Sequence, residues 1–190
     1  MLAQIATLLV DVVTSFFIYL LLARFMFQWL RVPFRNMIGN FIIAATNWMV
    51  VPARRVIPAL FGLDLASLLL AWLIQGFALW ALYSLAAPGF ASPPDIPATV
   101  LAALSFVDLL RFIVYFLIFV LIVLVVLSWV APHSDMMPVC NAVLRPFLSP
   151  IRRMVPLLGN FDLSPLILIV ILQVLQIPLA HLRGLAAGLF

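Results

Sequence analysis

Four transmembrane helices, set as two parallel two-helix repeats with a cytoplasmic-side interfacial helix in each, form the all-α membrane architecture expected of this chain. Three observations lead there. Of 190 residues, 67% are hydrophobic and only 8% charged, against about 25% charged in an ordinary soluble domain. So few charges cannot cover a water-facing surface, and most of the surface must face lipid. Four apolar runs each reach the length of about 20 residues that crosses a bilayer core. The two halves of the chain also repeat one another motif by motif.

The first run spans residues 5–30 and carries Asp11 and Arg24. Backbone groups in lipid must bond within their own segment, so the run is a helix. No basic residue precedes it and Asp11 interrupts it early, so the amino terminus reads as the start of the mature chain rather than a cleavable signal. Arg24 lies one to two turns from the inner end, within reach of snorkelling towards water. A shorter apolar segment follows, with Asn36, Asn40 and Asn47 at helical spacing. A narrow polar stripe suits a helix lying in the membrane surface, and a re-entrant pore-lining segment is the alternative.

Next comes Pro52-Ala53-Arg54-Arg55-Val56-Ile57-Pro58, expected as a turn whose prolines stop one helix and shape entry to the next. Asp64 immediately precedes the second span, residues 65–87, and is expected to cap it; a cation site is the alternative. Gln75 sits within that uncharged span, where an amide needs an interhelical partner. The segment Pro88–Pro97 is a loop by its prolines and glycine. It opens the external connection, 88–106, between repeat one (1–87) and repeat two (107–190).

The third run, 107–130, begins with Asp108 and Arg111, three apart and able to pair across one turn. Asn141, Arg145 and Ser149 mark the second short segment. Pro150-Ile151-Arg152-Arg153-Met154-Val155-Pro156 repeats the proline–arginine motif. Asp162 precedes the fourth span, 165–182, and like Asp64 is expected to cap it, with a cation site as the alternative. Pro165 opens that span at an early turn, and Gln173 within it is, like Gln75, expected to find an interhelical partner.

The motif prolines and arginines, the Asp-Leu pairs Asp64-Leu65 and Asp162-Leu163, and the two glutamines all recur 98 positions apart. Trp29 and Trp129 correspond after a two-residue shift, and Asp11 matches Asp108 at 97. Internal duplication explains such a pattern. An even number of helices per unit makes both units enter from the same side, related by an axis along the membrane normal. Arg31, Arg35, Arg54 and Arg55 occupy one inter-helix connection, and Arg145, Arg152 and Arg153 the other, whereas the central loop holds Asp95 and no basic residue. Positive connections stay in the cytoplasm, so both termini are expected outside. Arg183 alone argues the other way.

The motifs Trp29, Pro52, Arg54, Arg55, Pro58, Asp64 and Leu65, with Trp129, Asn141, Pro150, Arg152, Arg153, Pro156, Asp162, Leu163, Ser164 and Pro165, resemble the YggT (YlmG) family. These are small membrane proteins of bacteria and plastids, and the resemblance covers essentially the whole chain. Copy one departs from the Asp-Leu-Ser-Pro form, reading Asp64-Leu65-Ala66-Ser67. The resemblance implies a multi-pass protein of the bacterial cytoplasmic (inner) membrane. It also implies roles in osmotic-stress tolerance and ion uptake, in membrane organisation at division, or, in plastids, in cytochrome maturation and nucleoid organisation. It implies no assigned catalytic residues.

The residues agree with that silence on catalysis. His133-Ser134-Asp135 are chain neighbours, whereas a triad draws on separated segments. Two histidines and the single Cys140 give no metal-ligand set and no disulfide, and Cys140 is expected as a small buried apolar residue. No glycine-rich phosphate loop is present. The net charge of +4 is carried wholly by Arg and Asp. The arginines cluster at span ends, where topology explains them, so nucleic acid is not an expected partner. No cofactor is expected either.

Arg54, Arg55, Arg152 and Arg153 are the candidate contacts for anionic lipid head groups or a partner protein, since a guanidinium fork suits phosphate and carboxylate. The expected function is therefore a non-enzymatic membrane organiser or accessory factor supporting envelope or osmotic homeostasis. It would be embedded in the bilayer and partnered by a second copy or another membrane protein. The alternative is a potassium or osmolyte channel or transporter subunit, which would need an oligomer because no span has a polar face.

Overall fold

The computed structural model describes residues 2–32, 34, 36–57, 64–86, 96–154 and 162–188. Arg35, Pro58, Asp95, Pro156 and most of the Pro88–Pro97 segment lie outside them. The described residues form helices α1 (Leu2–Trp29), α2 (Met37–Val56), α3 (Leu65–Ala86), α4 (Ala98–Val130), α5 (Met136–Met154) and α6 (Ser164–Ala187). Helices α1, α3, α4 and α6 are long and apolar enough to cross a membrane. Side chains such as Leu8, Phe16, Leu73, Phe77, Phe119 and Ile177 stand exposed along them, as lipid-facing residues must.

Two boundaries differ from the sequence expectation. The third span starts at Ala98, within the connection assigned to 88–106. Residues 98–105 contain no helix breaker, and Val100 and Leu104 are buried against Leu79 and Ala186 towards the carboxyl ends of α3 and α6. At 33 residues α4 is about 50 Å long, well beyond the hydrocarbon thickness of about 30 Å. Pro52 and Pro150 do not stop their helices; each lies inside one, α2 or α5, and both arginine pairs occupy the last helical turn. A proline removes one backbone donor, and tertiary ion pairs described below hold the turn that follows it.

Helix α1 packs chiefly on α3, and α4 on α6; α3 and α4 join the two halves, with α1 also touching α4. Helices α1 and α4 run in the same direction. The Tyr19 ring meets Phe112 edge-on at 5.1 Å, and further along Ala23 and Phe27 face Phe116 and Val120 across a small apolar cavity. Their carboxyl ends therefore finish at one end of the bundle, and α2 and α5 start there. Helix α5 buries Val139, Cys140, Val143, Leu144 and Leu148 in the main core and turns Arg145, Arg152 and Arg153 outwards.

Local geometry fixes the chain as it leaves α1. The Val32 N–H donates to the Phe27 carbonyl (2.8 Å) and the Arg31 N–H to that of Gln28 (3.2 Å), the pattern of a Schellman end. Arg31 takes the left-handed position with φ 53°. Helix α2 then starts on Asn36, whose Oδ1 accepts from the Gly39 N–H at 2.7 Å. Gly39 has no room for a side chain, because a Cβ there would stand 2.5 Å from the Phe34 carbonyl oxygen.

Candidate functional site

Asp64 is the point where α1, α2 and α3 are tied together. It occupies the position just before α3 and is 1% exposed. Arg54, in the last turn of α2, grips it with a fork: Nε donates to Oδ1 at 3.2 Å and Nη2 to Oδ2 at 2.7 Å. Arg24 reaches across from α1, its Nε donating to Oδ2 at 3.2 Å. Within α3, the Ser67 hydroxyl donates to Oδ2 at 2.7 Å and its N–H to Oδ1 at 3.4 Å. The carboxylate thus does cap α3, but the cap is one part of a larger clamp. Burial by itself would raise the Asp64 pKa; the Arg54 and Ser67 hydrogen bonds and the charges of Arg54 and Arg24 outweigh it and hold the carboxyl below its ordinary range. Five donors meet a group with about four acceptor sites, so no capacity is left for an added cation.

Arg24 does not snorkel. It is buried, and its Nη1 donates to the Thr46 hydroxyl (2.7 Å) and to Asn47 Oδ1 (2.9 Å) on α2. The helical spacing of Asn36, Asn40 and Asn47 therefore hides three different jobs: Asn36 caps α2, Asn47 receives Arg24, and Asn40 is exposed.

The second clamp is looser. Arg152 Nε donates to Asp162 Oδ2 at 2.9 Å, with the two side chains 45% and 30% exposed. Asp162 Oδ1 accepts from the Ser164 N–H at 2.9 Å, while Leu163 occupies the capping position itself. Burial pushes the Asp162 pKa up, but the Ser164 and Arg152 hydrogen bonds and the Arg152 charge bring it below the usual carboxylate value.

The outer arginine of each pair behaves differently from the inner one. Arg55 and Arg153 are exposed and, among the described residues, make no ion pair or hydrogen bond.

A third polar cluster lies between the halves. Asp108 on α4 is buried and receives Arg183 Nε from α6 at 2.8 Å, with Arg111 Nη1 at 3.6 Å, the pair their spacing implied. Gln75 Nε2 on α3 donates to Asp108 Oδ2 at 3.4 Å, and Arg111 Nε to Gln176 Oε1 at 3.4 Å. Asp11 is exposed but lines the same cavity of about 240 Å³. Two aspartates face two arginines, so the cluster is neutral. Gln75 makes its interhelical bond, whereas Gln173, also expected to find an interhelical partner, is exposed on α6. Arg183, whose charge is spent on Asp108, carries little weight as a topological signal.

The sequence model of the CCB3/YggT family matches this chain in two segments, residues 3–85 and 103–183. An uncharacterized protein of Pseudomonas aeruginosa is 34% identical over 164 residues, covering 85% of this chain and 81% of its own length. The uncharacterized protein YggT of Escherichia coli strain K12 is 32% identical over 176 residues, 92% of this chain and 89% of the relative. A Vibrio alginolyticus protein is 30% identical over 87% of this chain and 88% of its own length. No solved structure matches.

Proposed function

Because the chain belongs to the CCB3/YggT family, we propose that it is a non-enzymatic organiser or accessory factor of the bacterial inner membrane, supporting envelope or osmotic homeostasis. The observation that carries this reading is the split within each arginine pair. Arg54 and Arg152 are spent on Asp64 and Asp162, while Arg55 and Arg153 are presented outwards from the last turns of α2 and α5. Two like guanidinium groups, each on a clamped turn, suit anionic head groups or a carboxylate-bearing partner, with about 1 kcal/mol per basic residue near an anionic surface. On this reading α2 and α5 lie along the cytoplasmic face, the two halves are parallel repeats, and both termini are external. Two features support the orientation: the arginine-rich ends of α2 and α5, and the neutralisation of Arg183 by Asp108.

The exposed Gln173 favours a second reading. An amide on a lipid-facing surface is better placed against a second copy, and an oligomer could form an ion or osmolyte path. The neutral Asp108 cluster speaks against a conducting path through one chain, since it offers a passing cation no net attraction.

The test is Arg55→Gln with Arg153→Gln, beside Arg55→Lys with Arg153→Lys. The glutamine pair should accumulate in the membrane with unchanged thermal stability, yet fail to support growth after an osmotic upshift that wild type restores to a null strain. The lysine pair should restore it in part. Wild-type growth with the glutamine pair would overturn the docking role, and potassium flux into liposomes carrying the purified wild type would favour the channel instead.

A further inference from the structure

The two clamps share an arginine–aspartate pair but differ in the residues around it, Ser67 of the first being matched by Pro165. Arg54 and Asp64 match Arg152 and Asp162, 98 positions on. In the register of Trp29 and Trp129, 100 apart, Arg24 is matched by Leu124. Thr46 and Asn47, which seat the far side of the Arg24 guanidinium, correspond to Leu144 and Arg145 in the 98-position register of the arginine pairs. The first clamp is closed by its own chain. In the second, Leu124, Ser128, Trp129, Asn141, Arg152 and Asp162 line a cavity of about 560 Å³, within the range of about 300–1,000 Å³ typical of small-ligand sites.

The chemistry of that cavity is bipolar. At one point stands Asp162, which among the described residues accepts from Arg152 and Ser164, where Asp64 has a second guanidinium. Beside it Arg152 uses its Nε alone, and its Nη groups make no hydrogen bond among the described residues. The remaining wall is mostly apolar, with Leu163 and Leu166; its Ser128 hydroxyl and Asn141 amide donate to carbonyls of their own helices, and the wall runs out to the exposed faces of Leu166 and Trp129 at the end of the α4 span.

We propose that the second clamp binds the head group of an aminophospholipid, phosphatidylethanolamine, drawn laterally from the bilayer. Its primary ammonium takes on Asp162 the place that the Arg24 guanidinium holds on Asp64. Its phosphate meets the Arg152 Nη groups, and its acyl chains follow Leu166 out of the cavity. A quaternary ammonium has no N–H to give the carboxylate, and the glycerol head group of phosphatidylglycerol has no cation for it, so both are discriminated against. The inference needs this end of the bundle to lie at a membrane face but does not depend on Arg55 or Arg153 docking anything.

The experiment reconstitutes the full-length protein in nanodiscs of equal parts phosphatidylethanolamine, phosphatidylcholine and phosphatidylglycerol. The lipid retained after transfer to mild detergent is then counted by native mass spectrometry. Wild type should retain phosphatidylethanolamine at least about tenfold over the other two, equivalent to about 1.4 kcal/mol, with preference falling along the N-methylated series. Asp162→Asn should erase the preference. Leu124→Arg, which copies the first clamp, should erase it too while the protein stays folded by circular dichroism. Arg55→Gln with Arg153→Gln should keep it, which separates this site from the docking role. Equal retention of the three lipids by wild type, or an undiminished preference in Asp162→Asn, would overturn the proposal. Displacement of the bound lipid by soluble glycerophosphoethanolamine would overturn its lipid source.

Discussion

Asp64→Asn should be among the most damaging single substitutions in this chain. The asparagine keeps the shape and the contact with Ser67 but removes the negative charge shared by Arg24 and Arg54. Arg54 is 39% exposed and can turn to water, whereas the Arg24 side chain is 7% exposed and would be left buried with only Thr46 and Asn47. Removing one partner of a buried ion pair costs about 3–5 kcal/mol for that reason. Arg24→Leu leaves Asp64 with the Arg54 fork and two Ser67 donors, so its loss is confined to hydrogen bonds of a charged group, about 1.5–3 kcal/mol. If a stranded cation is the main cost, Arg24→Leu combined with Asp64→Asn should be more stable than Asp64→Asn alone, with a coupling above about 1 kcal/mol in the double-mutant cycle. Asp162→Ala removes a half-open pair and the acceptor of the Ser164 N–H and should cost only about 0.5–1.5 kcal/mol. The assay is chemical unfolding in detergent micelles followed by fluorescence of the five tryptophans. An Asp64→Asn loss no larger than that of Arg24→Leu, or simple additivity in the double variant, would refute the clamp.

Acid should reach the clamps through both carboxylates. Each has a folded pKa below its unfolded one, so their stabilisation is complete above the unfolded value of about 3.9 and is lost as pH falls through the folded values. The unfolding midpoint should therefore be flat down to about pH 5 as far as these two groups are concerned. The drop below about pH 4 should be shallower in Asp64→Asn with Asp162→Asn. Gly39→Ala should cost at least about 1–3 kcal/mol, the range of overpacking, because its Cβ would meet backbone at 2.5 Å; melting of that variant beside Gly184→Ala, where nothing lies within 4 Å, checks this.

Hydropathy located all four spans, because one-dimensional composition is what a bilayer selects. Pairings between spans were less visible. Arg24 reads as a snorkelling residue because the sequence shows its distance from the end of α1 and not the place of Thr46 and Asn47. A signal was present all the same: Asp64-Leu65-Ala66-Ser67 departs from Asp162-Leu163-Ser164-Pro165 where Ser67 supplies two of the donors to Asp64, and Arg24 has no arginine counterpart. The motif prolines read as helix stops because local propensity cannot weigh an ion pair to a carboxylate ten residues on. Arg183 counted against the topology for a related reason, since Asp108 is 75 residues distant in the chain. Gln75 and Gln173, 98 positions apart, do not share an environment, because α4 covers the one and leaves the other exposed.

The distribution of committed and uncommitted charge narrows where the chain meets its surroundings. Asp64, Asp108 and Asp162 are all held in ion pairs, and together they engage Arg24, Arg54, Arg111, Arg152 and Arg183. Charges within spans are expensive unless paired, and these pairs explain why the sequence tolerates them. Among the described residues the arginines outside any ion pair are Arg31, Arg55, Arg145 and Arg153, all exposed. Every one belongs to the segments that follow α1 or α4, where the only described carboxylate outside an ion pair is the exposed Asp135. A surplus of unpaired arginine at one end of a membrane bundle biases its orientation and attracts anions by the same charges. The two effects are separable only at residues that the fold does not use, which is why the outer arginines, and not the inner ones, are where a docking role has to be sought.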